Sequence, residues 1–149
     1  IAFVNPDDKI QLEKTKEIKR VFFEKKLTLK ITNPFVEVDY KGTSIKSNLI
    51  GTYNFTNICA AVTFGNYFSV LPKDIKDALE SYAPNNNRSQ IIRKGTHKII
   101  LDAYNANPTS MKAAIESFQL MEDENKVLIL GDMFELGEFE LEEHQKIAA

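Results

Sequence analysis

The sequence predicts a mixed α/β protein in two pieces, and three observations carry that expectation. Through residues 21–50 apolar and polar residues alternate, the period of half-buried strands. From about Asn54 to Tyr82 apolar residues recur at helical spacing. From Ser89 onward, short apolar runs alternate with helical patterns. The chain has 149 residues, enough for a real core, and its 43% apolar and 27% charged content is that of an ordinary globular protein and not of a disordered one.

Taken in order, Ile1 to Val4 reads as a buried strand ended by the turn-prone Asn5-Pro6-Asp7-Asp8. Residues 9–20, rich in Lys and Glu, suggest a short surface helix or a connection. VFFEKKLTLKIT, PFVEVDY and TSIKSNLI read as an antiparallel meander with a turn at Lys41-Gly42. Within it Val36, Val38 and Tyr40 should face one side and Phe35, Glu37 and Asp39 the other. Past Gly51, the residues Ile58, Ala61, Val62, Gly65 and Phe68 make one stripe of a helix from about Asn54 to Phe68. A second helix follows Pro72, with Ile75, Ala78, Leu79 and Tyr82 inward, and Pro84 stops it. Asn85-Asn86-Asn87 is the linker candidate, which places the boundary between residues 87 and 88.

The second piece begins with a strand from Ser89, a turn at Gly95-Thr96 and the strand HKIILDAY. A helix from about Thr109 to Met121, the strand KVLILGD and a helix from about Glu140 follow. Wholly apolar strands separated by helices imply a parallel sheet covered on both faces.

Composition narrows the function. Nineteen basic and twenty-one acidic residues give a net charge of -2, which offers no overall pull toward nucleic acid or an anionic membrane. No apolar stretch is long enough to span a bilayer and no secretion signal opens the sequence, so a cytoplasmic location is expected. The single cysteine, Cys59, lies in the apolar run ICAAV and is expected to be a small buried side chain. An apolar run at Ile1 and a helical pattern reaching Ala149 suggest a segment of a longer protein. There is no G-x-x-x-x-G-K-[ST] phosphate loop. Two histidines and one cysteine assemble neither a nucleophile triad nor a metal site, so no catalytic residue and no metal ligand is assigned. His144, among Glu142, Glu143 and Lys146, reads as a surface helix residue.

Chemistry is expected in the loops at strand ends, where open α/β sheets bind ligands. The first holds Asp102, Tyr104, Asn105 and Asn107; the second holds Gly131, Asp132, Glu135 and Gly137. A strand-end Asp can accept paired hydrogen bonds from ribose hydroxyls, and Asn carboxamides donate and accept at once. The same residues would also serve as turn and cap residues. Asn54 and Asn57, one helical turn apart, could cap a helix or read a purine edge. Arg88 could reach a phosphate or a sugar, or lie in solvent.

The succession VNPDD, GTYNFTNICAA, Tyr82-Ala-Pro-Asn-Asn-Asn-Arg88, DAYNANPTSM and LILGDMFELG, with His144 beyond it, resembles the Mur ligase family over nearly the whole chain. The spacing Gly51, Asn54, Asn57, Ala60-Ala61 is common to Mur and folylpolyglutamate ligases. DAYNANPTSM and LILGDMFELG are particular to the member that adds D-alanyl-D-alanine to UDP-N-acetylmuramoyl-tripeptide. The resemblance implies that residues 1–87 are the later part of a P-loop-type central ATP-binding domain. Residues 88–149 would be the start of a Rossmann-like carboxyl-terminal domain that brings the acceptor.

It further implies an acyl phosphate made from ATP and attacked by the incoming amine. Magnesium is implied too, its ligands lying outside this sequence together with the phosphate loop and a modified lysine. By the same resemblance Asn57 contacts adenine with Asn54 supporting it, and Arg88 and Asp102 hold the ribose or a nearby phosphate. Tyr104, Asn105 and Asn107 line the meeting point of nucleotide and D-alanyl-D-alanine, and Asp132 of the GDMFELG loop borders the same acceptor pocket. The implied partners are these small molecules, with no nucleic acid and no membrane. A hinge over residues 85–88 would let closure exclude water from a hydrolysable intermediate. Two positions depart from the family: Tyr53 stands where many relatives have His, and Asn87 where many have Gly. Alternatives are another Mur or folylpolyglutamate-type ligase, or a non-catalytic nucleotide-binding α/β module.

Overall fold

In the computed structural model, which describes residues 1–31 and 33–148, the chain divides between Tyr82 and Ala83 into two compact units. The predicted β segment ends on Thr32 and the predicted last helix runs to Ala149; both residues lie outside those described.

The first unit opens with a short β-α-β element. Strand β1 (Ala2–Val4) pairs in parallel with β2 (Arg20–Phe22), and helix α1 (Lys9–Lys14) crosses between them. Asp8 caps α1, its carboxylate accepting from the Ile10 and Gln11 amides, which have no carbonyl partner in a first turn. At the other end the Arg20 guanidinium donates to the Thr15 and Leu12 carbonyls. The predicted segment VFFEKKLTLKIT is therefore two strands belonging to two sheets.

The meander follows as predicted from strand periodicity: β3 (Leu27–Ile31), β4 (Phe35–Tyr40) and β5 (Thr43–Ile50) are antiparallel neighbours in that order. Lys41 and Gly42 fill the two-residue turn with φ of 52° and 81°, the left-handed pair that suits the twist of a tight hairpin. Val36, Val38 and Tyr40 are buried and their alternates are not. On that buried face pack α2 (Tyr53–Tyr67) and α3 (Pro72–Ser81), contributing Ile58, Cys59, Val62 and Ile75 to one core with Leu27, Val36, Val38, Tyr40 and Ile45. The predicted stripe of α2 holds at Ile58 and Val62. It fails at Ala61, which is exposed, and at Phe68, which lies past the last turn and is exposed too. Burial pushes the Cys59 thiol up to about 11, as expected of a small core side chain.

In the second unit β6 (Gln90–Lys94) and β7 (His97–Leu101) form an antiparallel hairpin about Gly95-Thr96. Helix α4 (Pro108–Gln119), a 3₁₀ turn (Gly137–Phe139) and α5 (Glu140–Ala148) follow. Lys126 ends α4 by donating to the Gln119 and Met121 carbonyls at 2.9 and 3.0 Å. The predicted strand KVLILGD has no ladder partner among the described residues, and Val127 and Ile129 are 79% and 90% exposed. A strand exists only where a neighbour's backbone groups pair with it. The one ladder described in this unit is therefore the antiparallel hairpin. No helix of the described residues is long and apolar enough to cross a membrane.

Candidate functional site

The first cluster sits at the start of α2. Asn54 is 8% exposed; its Nδ2 donates to the Ile50 carbonyl at 2.7 Å, and its Oδ1 accepts from Asn57 Nδ2 at 2.8 Å. Both ends of the Asn54 carboxamide are thus used by the chain itself, which fixes the orientation of Asn57. Asn57 is exposed, and its Oδ1 has no partner among the described residues. The pair therefore presents one acceptor and one remaining N–H outward, the complement of an amidine edge such as that of adenine. Asn57 also stands at the rim of an apolar groove of about 490 Å³ between α2 and α3, lined by Leu49, Ile58, Leu79 and Tyr82. Neither Asn caps α2: Thr52 occupies the cap position and makes no side-chain cap bond.

The second cluster is at the carboxyl end of β7. Residues 87–89 are fastened to residues 102–104 by three contacts. The Ala103 amide donates to the Asn87 carbonyl at 2.8 Å, and the Ser89 amide donates to Asp102 Oδ1 at 3.1 Å. The Arg88 guanidinium lies 3.7 Å from the centroid of the Tyr104 ring. Asn87 and Ser89 take φ of 57° and 49°, and these left-handed residues on either side of Arg88 set it facing the loop. Asp102 is exposed, and its second carboxylate oxygen has no partner among the described residues; Arg88 meets no carboxylate there. A free carboxylate oxygen and an unpaired guanidinium fork are what a sugar hydroxyl and a phosphate respectively require.

Asn105 and Asn107 are more committed. Asn105 Oδ1 accepts from the Ala106 amide, and Asn107 is the N-cap of α4 in a reciprocal box with Ser110. Each keeps its Nδ2 free among the described residues. Pro108 fills the first helical position.

Asp132 stands in the loop before the 3₁₀ turn, exposed and without a polar partner among the described residues. Its neighbour Met133 is 1% exposed, and the Met133 amide donates to His144 Nε2 at 2.9 Å. His144 thus lies on α5, half-buried, and its ring also accepts from the Met133 amide, a role that the surrounding charges do not suggest. No sequence signal announces this bond beyond an acceptor-bearing side chain placed after a Gly-rich loop. Among the described residues no three His, Cys, Asp or Glu side chains gather as a metal site.

The fold is mixed α/β, with one set of polar groups at the carboxyl end of β7 and another at the start of α2. Residues 87–149 match the family described as Mur ligase, glutamate ligase domain. The UDP-N-acetylmuramoyl-tripeptide--D-alanyl-D-alanine ligase of Bacillus subtilis (strain 168) is 40% identical over 103 residues, 68% of this chain and 22% of that protein. MurF from Acinetobacter baumannii superposes over 98% of this chain and 35% of its own, with a TM-score of 0.80 and 28% identity. MurF from Thermotoga maritima, solved with ADP, gives 0.77 over 98% of this chain and 36% of its own; at 23% identity that likeness is one of fold. The chain belongs to the Mur ligase family and resembles its MurF members, spanning about a fifth to a third of the length of these relatives.

Proposed function

We propose that this chain is part of an ATP-dependent ligase that joins D-alanyl-D-alanine to UDP-N-acetylmuramoyl-tripeptide in the building of peptidoglycan precursors, in the cytoplasm. The observation that carries the reading is the 40% identity to the Bacillus subtilis ligase, together with a superposition on MurF over nearly the whole chain. Residues 1–87 would belong to the central ATP-binding domain and residues 88–149 to the carboxyl-terminal one.

ATP, with magnesium held by residues elsewhere in the protein, would supply the phosphoryl group that activates the tripeptide carboxylate. This chain's own residues would bind and orient. Asn57, braced by Asn54, would face the adenine edge. Asp102 would accept from the ribose with its free oxygen, and Arg88 would leave the Tyr104 ring to meet a phosphate. Such an exchange is cheap, because an exposed cation–π contact is worth only about 0.5–1 kcal/mol. The free Nδ2 groups of Asn105 and Asn107, the Tyr104 hydroxyl and Asp132 would border the dipeptide, Asp132 as an acceptor for its ammonium group.

The test is ADP release by the full-length protein carrying this chain, with UDP-N-acetylmuramoyl-tripeptide and D-alanyl-D-alanine as substrates. ADP formed with another amino acid but not with the dipeptide overturns the reading. In that enzyme Asp102→Asn keeps an acceptor for the Ser89 amide and removes the charge. Loss of a charge-assisted bond predicts a KM for ATP raised about tenfold or more, with secondary structure retained. An unchanged KM removes Asp102 from the nucleotide site.

A further inference from the structure

The loop from Gly131 to Gly137 is held at its centre by one residue. The Met133 side chain is buried and its amide donates to His144 Nε2, while Asp132 and Phe134 on either side are exposed. His144 Nδ1 lies 2.8 Å from the Glu140 carbonyl one turn back in α5. The Met133 amide can only donate and the Glu140 carbonyl can only accept. The ring therefore carries its hydrogen on Nδ1 and none on Nε2, the neutral tautomer. An imidazolium would set N–H against N–H and release the loop.

We infer that His144 is a positioning residue of the ligase: in its neutral form it holds the Met133 backbone and so fixes where Asp132 is presented to the acceptor dipeptide. Asp132 has no polar partner of its own among the described residues, so its placement depends on the neighbouring backbone. Glu135 and Gly137, with φ of 64° and 59°, make the far side of the loop a turn with no ladder to hold it. The charged groups on the elements around the imidazole are Asp132 and Glu135 of the loop and Glu138 of the 3₁₀ turn. On α4 they are Lys112 and Glu116, which pair with each other, and on α5 Glu140, Glu142, Glu143 and Lys146. None of these groups replaces Nε2 as acceptor for the Met133 amide.

The inference rests on the reading of Asp132 above, and two measurements on the full-length ligase keep the two separable. The first is hydrogen exchange of the 131–137 segment, which needs no activity. Protection of the Met133 amide should be high in the parent, where Nε2 accepts it. His144→Gln, whose carboxamide oxygen reaches the Nε2 position, should stay protected. His144→Phe should be unprotected. Equal protection in His144→Phe and the parent overturns the anchor.

The second is steady-state kinetics. In His144→Phe the KM for D-alanyl-D-alanine should rise about tenfold, the worth of one lost hydrogen bond, while the KM for ATP holds; His144→Gln should restore it. An active His144→Phe enzyme with an unchanged dipeptide KM overturns the positioning role even where the anchor is real. Should His144→Phe fail to fold, His144→Asn, whose shorter carboxamide does not reach the Met133 amide, decides in its place: it should lose the protection that His144→Gln keeps, and equal protection in both overturns the anchor. A parent enzyme that releases ADP with a different amine sinks the functional reading and this role for Asp132, and leaves the exchange result to decide the anchor.

Discussion

Asn87 shows how a residue with a β-carbon can hold a left-handed backbone. Its φ of 57° lies in the left-handed region, where glycine is free and asparagine is tolerated better than other residues with a β-carbon. Its carbonyl meanwhile takes the Ala103 amide. Asn87 therefore keeps the 87–89 to 102–104 fastening despite its left-handed backbone. Asn87→Gly should change stability by less than about 0.5 kcal/mol, since relief of the left-handed strain offsets the entropy of a freer unfolded chain. Asn87→Val should cost about 1–2 kcal/mol and loosen Arg88 from Tyr104. Urea midpoints of the three proteins check both; a Val variant as stable as the parent would show that the strain is not stored there.

The elements meet through a few close contacts. Where α2 crosses α3, a β-carbon added at Gly65 would stand 2.7 Å from Ile75 Cδ1 and 2.8 Å from Cγ1, and Ile75 is itself buried. Gly65→Ala is expected to destabilise by about 1–3 kcal/mol through overpacking, and by less in an Ile75→Val background, which a double-mutant cycle measures. At the other edge of α3, Glu80 accepts from the Lys46 amide of β5 and from the Lys76 ammonium. These bonds hold its carboxyl below the usual carboxylate range, the Lys46 amide foremost. A lowered value in the folded state means stability present above the ordinary carboxylate range and lost as pH falls through the folded value. The drop in urea midpoint between about pH 7 and about pH 3 should thus be smaller for Glu80→Gln than for the parent. An equal drop would mean that this contact does not couple α3 to the sheet.

At the scale of the molecule the chain forms two compact units: in the first the core is the meander with α2 and α3, and in the second Met121 and Met133 are buried. Between them Ala83, Asn85 and Asn86 are exposed and outside any helix or strand. Limited proteolysis should cut first in residues 83–86, giving fragments of the two unit masses by mass spectrometry. First cuts inside α2 or the meander would argue against two independently folded units. Much of this architecture was legible in the sequence, because burial imposes a period on strands and helices that neighbours along the chain reveal. The meander, α2, α3 and the hairpin about Gly95 follow from that local rule, and the family motifs mark the loops. Pairing between distant segments leaves no such period. Only the tertiary structure decided that residues 20–22 join β1 in a parallel pair while β3 starts another sheet, and that Val127 to Leu130 find no ladder partner among the described residues. It also decided that Asn54 is spent on bracing Asn57 and that His144 reaches the Met133 amide. A hydrogen bond is set by where two backbones arrive in space, and the sequence records what each side chain can offer but not which partner it will meet.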